Sequence, residues 1–290
     1  MKFSTTQLKL PNIVLSIIVF VLVGCASNQS NINDRDYDFI VSQADSHWQQ
    51  RYFPEQAKLA KQFYTKAISI SNLNINLSAQ YLRACYFVGH YIETNAEIKE
   101  SIFLEAAKVA LDIIHDSEVF KSIIDTTNLT ITEIELLTLQ SLDLEYVPVI
   151  YWWVANLGRY LISKPVGERL RYADLIQTGL HTLIELDPDY YYGGPNRLLG
   201  TFYVRVPGYD IELAKKYFQT TYNKYPNCFS TSLLMAQYSC TKASNREHFR
   251  EILEYVIKTD PNSIPAIAPE NRYEQNFAKQ LLKMEFLLFE

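Results

Sequence analysis

Residues 195–226 decide how this chain is read. They run Pro195-Asn196-Arg197-Leu198-Leu199-Gly200-Thr201-Phe202-Tyr203, then Pro207-Gly208-Tyr209-Asp210, then Ala214, Phe218 and Thr221, and close on Pro226. The stretch predicts two helices packed against each other across a turn. Gly200 lets the two backbones approach, Tyr203 fills the gap beside it, and Pro226 stops the second helix.

The pattern resembles the tetratricopeptide repeat, a helix pair of about 34 residues with W-x2-L-G-x2-Y in its first helix and A-x3-F…P in its second. Leu199, Gly200 and Tyr203 take the first set of places, and Ala214, Phe218 and Pro226 the second. Asn196 stands where the Trp is expected, and the turn between the helices is about two residues longer than the family norm. The register recurs outward in both directions. Phe249, Leu253, Val256 and Pro261 repeat the second-helix spacing, after Leu234, Met235 and Tyr238 and an expected capping box at Ser244 and Glu247. Ile176, Leu180, Leu183 and Pro188 repeat it more loosely, and Ala60, Tyr64 and Ala67 follow a helix start at Pro54-Glu55. Residues 78–91 and 97–115 read as a further pair, and Thr130 with Glu133 as a capping box. Pro269-Glu270 opens a last helix, 270–289, expected to cap the end of the stack. No stretch alternates with period two long enough to be a strand. The expected fold is all-α: one tetratricopeptide-like repeat array over residues 36–290, with about ten helices or more.

The first 24 residues stand outside that array. Lys2 and Lys9 precede an apolar run from Ile13 to Gly24, too short to span a bilayer of about 30 Å. Leu22-Val23-Gly24-Cys25 resembles the bacterial lipobox, which implies removal of residues 1–24, lipidation of Cys25, and a polar tether over 25–35. Ala26 after the Cys implies sorting to the outer membrane.

Charge and motifs exclude several functions. The chain carries 27 Lys and Arg against 32 Asp and Glu, a formal charge of −5, and losing Lys2 and Lys9 with the signal makes it −7. Nothing in that balance attracts nucleic acid. HExxH, GxSxG, a P-loop, GxGxxG and Cys pairs at zinc spacing are all missing, so neither catalysis nor a cofactor is expected. His115 beside Asp116 reads as a helix-end partner. Cys85, Cys228 and Cys240 read as buried free thiols, because Cys228 and Cys240 flank one helix about 18 Å long.

The unusual feature is aromatic: 21 Tyr, 15 Phe and 3 Trp. Residues 147–162 read as a central helix, apolar nearly all round. Val149, Trp153, Asn156 and Tyr160 form a mixed stripe on it, and Trp152 with Arg159 another. Two readings stand side by side: a core with satisfied polar tips, or a stripe facing a cavity in which Asn156 meets a ligand. Arg197, Thr201 and Arg205 share one helix face, at places that line the concave side of a tetratricopeptide array. The two guanidiniums suit a carboxylate, or they pair locally with Asp187 or Asp189. The candidate binding residues are therefore Trp152, Trp153, Asn156, Tyr160, Arg197, Thr201 and Arg205.

Several segments together resemble the tetratricopeptide lipoproteins associated with TRAP transporters, the T-component. They are the lipobox, Val147-Pro148-x-x-Tyr151-Trp152, Leu186-Asp187-Pro188-x-Tyr190-x-x-Gly193, Ala214-x3-Phe218, Phe249-x3-Leu253 with Asp260-Pro261, and Asn271-x3-Gln275-x2-Ala278-x2-Leu281-Leu282. Segment 116–130 aligns with nothing in that pattern. The resemblance implies a non-enzymatic, lipid-anchored, periplasm-facing protein that pairs with a TRAP-type solute-binding protein and takes a small organic acid, with oligomers possible. A structural adaptor of the envelope with no small ligand is the other function these residues allow.

Overall fold

A computed structural model describes residues 34–70, 74–209 and 211–289. The signal segment, Cys25 and most of the expected tether lie outside them. Fifteen α-helices and no strand occur among the described residues. In order they are α1 (Asp34–Gln49), α2 (Pro54–Ile70), α3 (Ile75–Phe87), α4 (Ala96–His115), α5 (Glu118–Thr126), α6 (Ile131–Ser141), α7 (Val147–Leu161), α8 (Val166–Arg171), α9 (Ala173–Leu186), α10 (Tyr190–Arg205), α11 (Ile211–Lys224), α12 (Phe229–Leu234), α13 (Arg246–Lys258), α14 (Ala268–Lys283) and α15 (Glu285–Leu288). A π-helical turn continues α3 over Val88–Ile92 and another continues α12 over Met235–Cys240.

Side chains cap five of the helix starts, those of α3, α4, α5, α6 and α13. Asn74, Asn95 and Ser117 each accept a hydrogen bond from the backbone N–H three residues on. The box at Thr130 and Glu133 forms in both directions. The one expected at Ser244 does not: Ser244 is left-handed, with φ 53°, and Asn245 caps α13 instead by accepting from the His248 N–H at 3.1 Å. His115 reaches Glu135 on α6 at 3.0 Å rather than Asp116, and stacks on Phe120 of α5. Segment 116–130 thus becomes α5, docked between its neighbours through the buried Phe120.

The helices pack as successive pairs, α1 with α2, α3 with α4, α7 with α9, α10 with α11, and α12 with α13. Within α10 and α11 the sequence pattern works as expected. A Cβ on Gly200 would lie 3.2 Å from the Ala214 carbonyl oxygen and from the Phe218 ring, both fully buried. The first helices of the later pairs, α3, α7, α10 and α12, face inward. α14 packs on α12 and α13, as an end cap would, and also crosses that inner face. There Glu270 meets Arg51 and Arg83, and the Tyr273 hydroxyl donates to the Tyr52 carbonyl at 2.7 Å. The last long helix therefore ties the end of the array to its beginning. Cys85, Cys228 and Cys240 are free and buried.

Candidate functional site

Between the inner helices and α14 lies a cavity of about 240 Å³. Its wall is assembled from α3 and its π turn, α7, α10, α12 and α14, which contribute Tyr86, Trp152, Arg197, Leu233 and Phe277 among others. The polar groups come in two clusters. In the first, the Arg51 guanidinium grips Glu270 with two bonds, at 3.2 and 2.8 Å, and Arg83 adds a third at 2.9 Å. Arg83 also lies over the rings of Trp48 and Tyr191, at 5.1 and 5.0 Å, and its buried Nε has no partner. Burial alone would raise the Glu270 pKa, but Arg83 and Arg51 hold it below the usual carboxylate range.

The second cluster holds Arg159, His90, Tyr86, Tyr91 and Glu274. Arg159 donates to the Tyr86 hydroxyl and, at 2.9 Å, to His90 Nε2. An arginine is always a donor, so the imidazole is neutral with its proton on Nδ1. Burial and the Arg159 charge accordingly press the His90 pKa well below its ordinary value. Glu274 accepts from the Tyr91 hydroxyl at 2.5 Å. Burial pushes this carboxyl up to about 7, against the pull of Tyr91, Arg159 and Arg197.

Arg197 is buried beside a strained turn. Tyr191, Tyr192 and Gly193 are left-handed in succession, with φ of 48°, 59° and 69°. Arg197 donates to the carbonyls of Tyr191 and Tyr192, to the Tyr151 hydroxyl at 2.9 Å and to Thr231 Oγ1. Gly194 follows the turn because a Cβ there would come within 2.4 Å of the Tyr151 ring. Asp189 pairs with Lys224 instead. Among the described residues no carboxylate lies within ion-pair distance of Arg159, Arg197 or Arg205.

A second hollow, about 130 Å³ and mostly apolar, opens between α7, α8, α9 and α10. Tyr86, Ala155, Arg159, Leu198 and Leu234 line both, so Arg159 stands in the wall they share. Thr201 and Arg205 belong to this hollow, with Arg205 donating to the Tyr238 hydroxyl at 2.8 Å.

The sequence-predicted residues are thus distributed. Trp152 and Arg197 line the central cavity, and Thr201 and Arg205 the apolar one. Trp153 lines neither and packs at Gly179 of α9. Asn156 is 0% exposed, its Nδ2 donating to the Leu82 and Trp152 carbonyls. The Tyr160 hydroxyl donates to Glu168 at 3.2 Å, away from both hollows. Of the two stripes on α7, the one pairing Trp152 with Arg159 faces the cavity. Arg83, Tyr86, His90, Tyr91, Glu270 and Glu274 are not singled out by sequence. Their only signal is polar side chains close to aromatics in the chain, with Glu270 and Glu274 one turn apart.

A family model described as TRAP transporter T-component matches residues 95–289. No curated protein matches the chain.

Proposed function

The chain belongs to the TRAP transporter T-component family, and on that premise we propose that its central cavity holds a small organic acid. The chain is an accessory of a TRAP transport system, and the family is one of transporter accessories rather than of enzymes. In this reading it works on the periplasmic side, anchored by lipid on Cys25, and exchanges its acid with a TRAP-type solute-binding protein. No helix among the described residues is long and apolar enough to cross a membrane. A Cys25→Ala variant is expected to lose palmitate labelling and leave the membrane fraction; unchanged labelling sinks the anchor.

One observation carries the ligand reading. Buried Arg51 and Arg197 and half-buried Arg83 and Arg159 gather four positive charges, and Glu270 and Glu274 supply at most two negative ones. An uncompensated buried cation is costly, and an anion that settles beside it removes that cost. Arg159 offers the natural seat, since its partners are a phenol and a neutral imidazole. The apolar hollow behind it suits the acid's hydrocarbon part.

Aliphatic and aromatic monocarboxylates are therefore expected to raise the melting temperature in a concentration-dependent way. Arg159→Leu should weaken binding by roughly 1.5–3 kcal/mol, about ten- to a hundredfold. If no acid stabilises the protein while a solute-binding protein still binds it, the adaptor reading stands. That reading draws on the exposed apolar side chains Ile124, Ile131 and Leu137 of α5 and α6.

A further inference from the structure

We propose that Glu274 makes acid binding proton-linked: a carboxylate that settles on Arg159 draws one proton from solvent onto the Glu274 carboxyl. The inference rests on reading the cavity as an organic-acid site. It begins with placement. Glu274 is 4% exposed and lines the cavity one helical turn after Glu270. Glu270 is gripped by two guanidiniums, whereas no cation lies within ion-pair distance of Glu274 among the described residues. Its hydrogen bond comes from the Tyr91 hydroxyl. A buried carboxylate held by a neutral donor gives up its charge readily when a second anion arrives.

The groups around it leave Glu274 as the proton acceptor. From the π turn after α3, Tyr91 stays a phenol, because burial lifts its pKa well above the ordinary value. His90, on the same turn, already accepts from Arg159, and burial keeps it neutral. From α7 and α10, Arg159 and Arg197 favour the ionised carboxyl, while Glu270 on α14 opposes it. Tyr191 reaches Glu270 rather than Glu274, and its hydroxyl is also held neutral by burial. Cys228, just before α12, lies 3.5 Å from the Arg197 guanidinium. Burial prevails at Glu274 and brings its titration to about 7 in the empty site. A ligand carboxylate bound to a guanidinium stays ionised, so the proton added from water goes to Glu274. Once neutral, that carboxyl is a donor rather than a second anion.

Linkage sets the pH dependence. Below about 7, Glu274 is already protonated, and affinity is flat. Above that, until the higher pKa of the filled site, each ligand takes up one proton and affinity falls by up to ~10-fold per pH unit.

The test titrates purified protein with octanoate and with phenylacetate from pH 6 to 9, calorimetrically, in two buffers of different ionisation enthalpy. The wild type is expected to bind at pH 6, to weaken as pH rises, and to take up close to one proton near pH 8. Glu274→Gln should bind with no slope and more tightly than wild type at pH 9, which a merely structural loss would not produce. Glu274→Asp should restore a slope. Binding with no proton uptake in the wild type overturns the coupling and leaves the acid site intact. Binding of neither probe at any pH, by wild type or Glu274→Gln, overturns both.

Discussion

Arg159 and Arg197 are two guanidiniums on the cavity wall, the first half-buried and the second buried, and burial alone does not separate their roles. Arg197 is spent on structure. It donates to the carbonyls of two left-handed tyrosines, a conformation that costs roughly 1–2 kcal/mol for each non-glycine residue. Among the described residues the Arg159 side chain hydrogen-bonds only to a phenol oxygen and an imidazole nitrogen, and is therefore the better seat for an incoming anion. Sequence cannot rank them. The repeat pattern points to Arg197, whereas Arg159 stands out only as the companion of Trp152. The loop character of Tyr190 to Gly194 is legible from its two glycines, but no composition rule anticipates three successive positive φ values. Nor can sequence separate Trp153 and Asn156 from the cavity. Both belong to a helix buried on nearly every side, where one step of about 100° separates a core position from a lining one.

The helices themselves are far more legible, because their signals are local. Prolines at first turns, Asn and Ser caps and the Thr130–Glu133 box all act within four residues of where they stand. The two π turns are not legible. Each inserts a residue into the helical ladder and rotates the side chains beyond it, and Val88–Ile92 is the turn that carries His90 and Tyr91 to the cavity. An apolar run that continues through such a turn looks like unbroken helix. The contact between α10 and α11 is readable, and it yields an expectation at this scale. Gly200→Leu must push its branched side chain against a backbone oxygen and a fully buried ring, each already 3.2 Å from the first added carbon. A loss of about 1–3 kcal/mol is expected from overpacking, read as a lower urea midpoint at unchanged slope. An unchanged midpoint would mean that α10 and α11 are free to part there.

Across the whole molecule, one carboxylate binds two arginines 219 and 187 positions before it. Glu270 on α14 binds Arg51, between α1 and α2, and Arg83 on α3, and all three are largely buried. Sequence places this glutamate in the first turn of a last helix. It does not show that the array curves enough to bring α14 against its own beginning. The closure decides whether there is an enclosed cavity or an open groove. Glu270→Ala should strand two guanidiniums in the interior and cost about 3–5 kcal/mol. Replacing Arg51, Arg83 and Glu270 together with apolar residues of similar size should cost far less, because no charge is left unpaired. The same cluster sets an acid limit. The folded-state pKa of Glu270 lies below the ordinary value, so its contribution is complete above that ordinary value and is lost as pH falls through the folded one. Glu270→Ala should therefore lie furthest below wild type at neutral pH and converge with it in acid. Denaturant midpoints for wild type, the single variant and the triple variant between pH 3 and 7 check this. Equal midpoints for wild type and Glu270→Ala at neutral pH would mean that α14 does not hold the two ends of the array together.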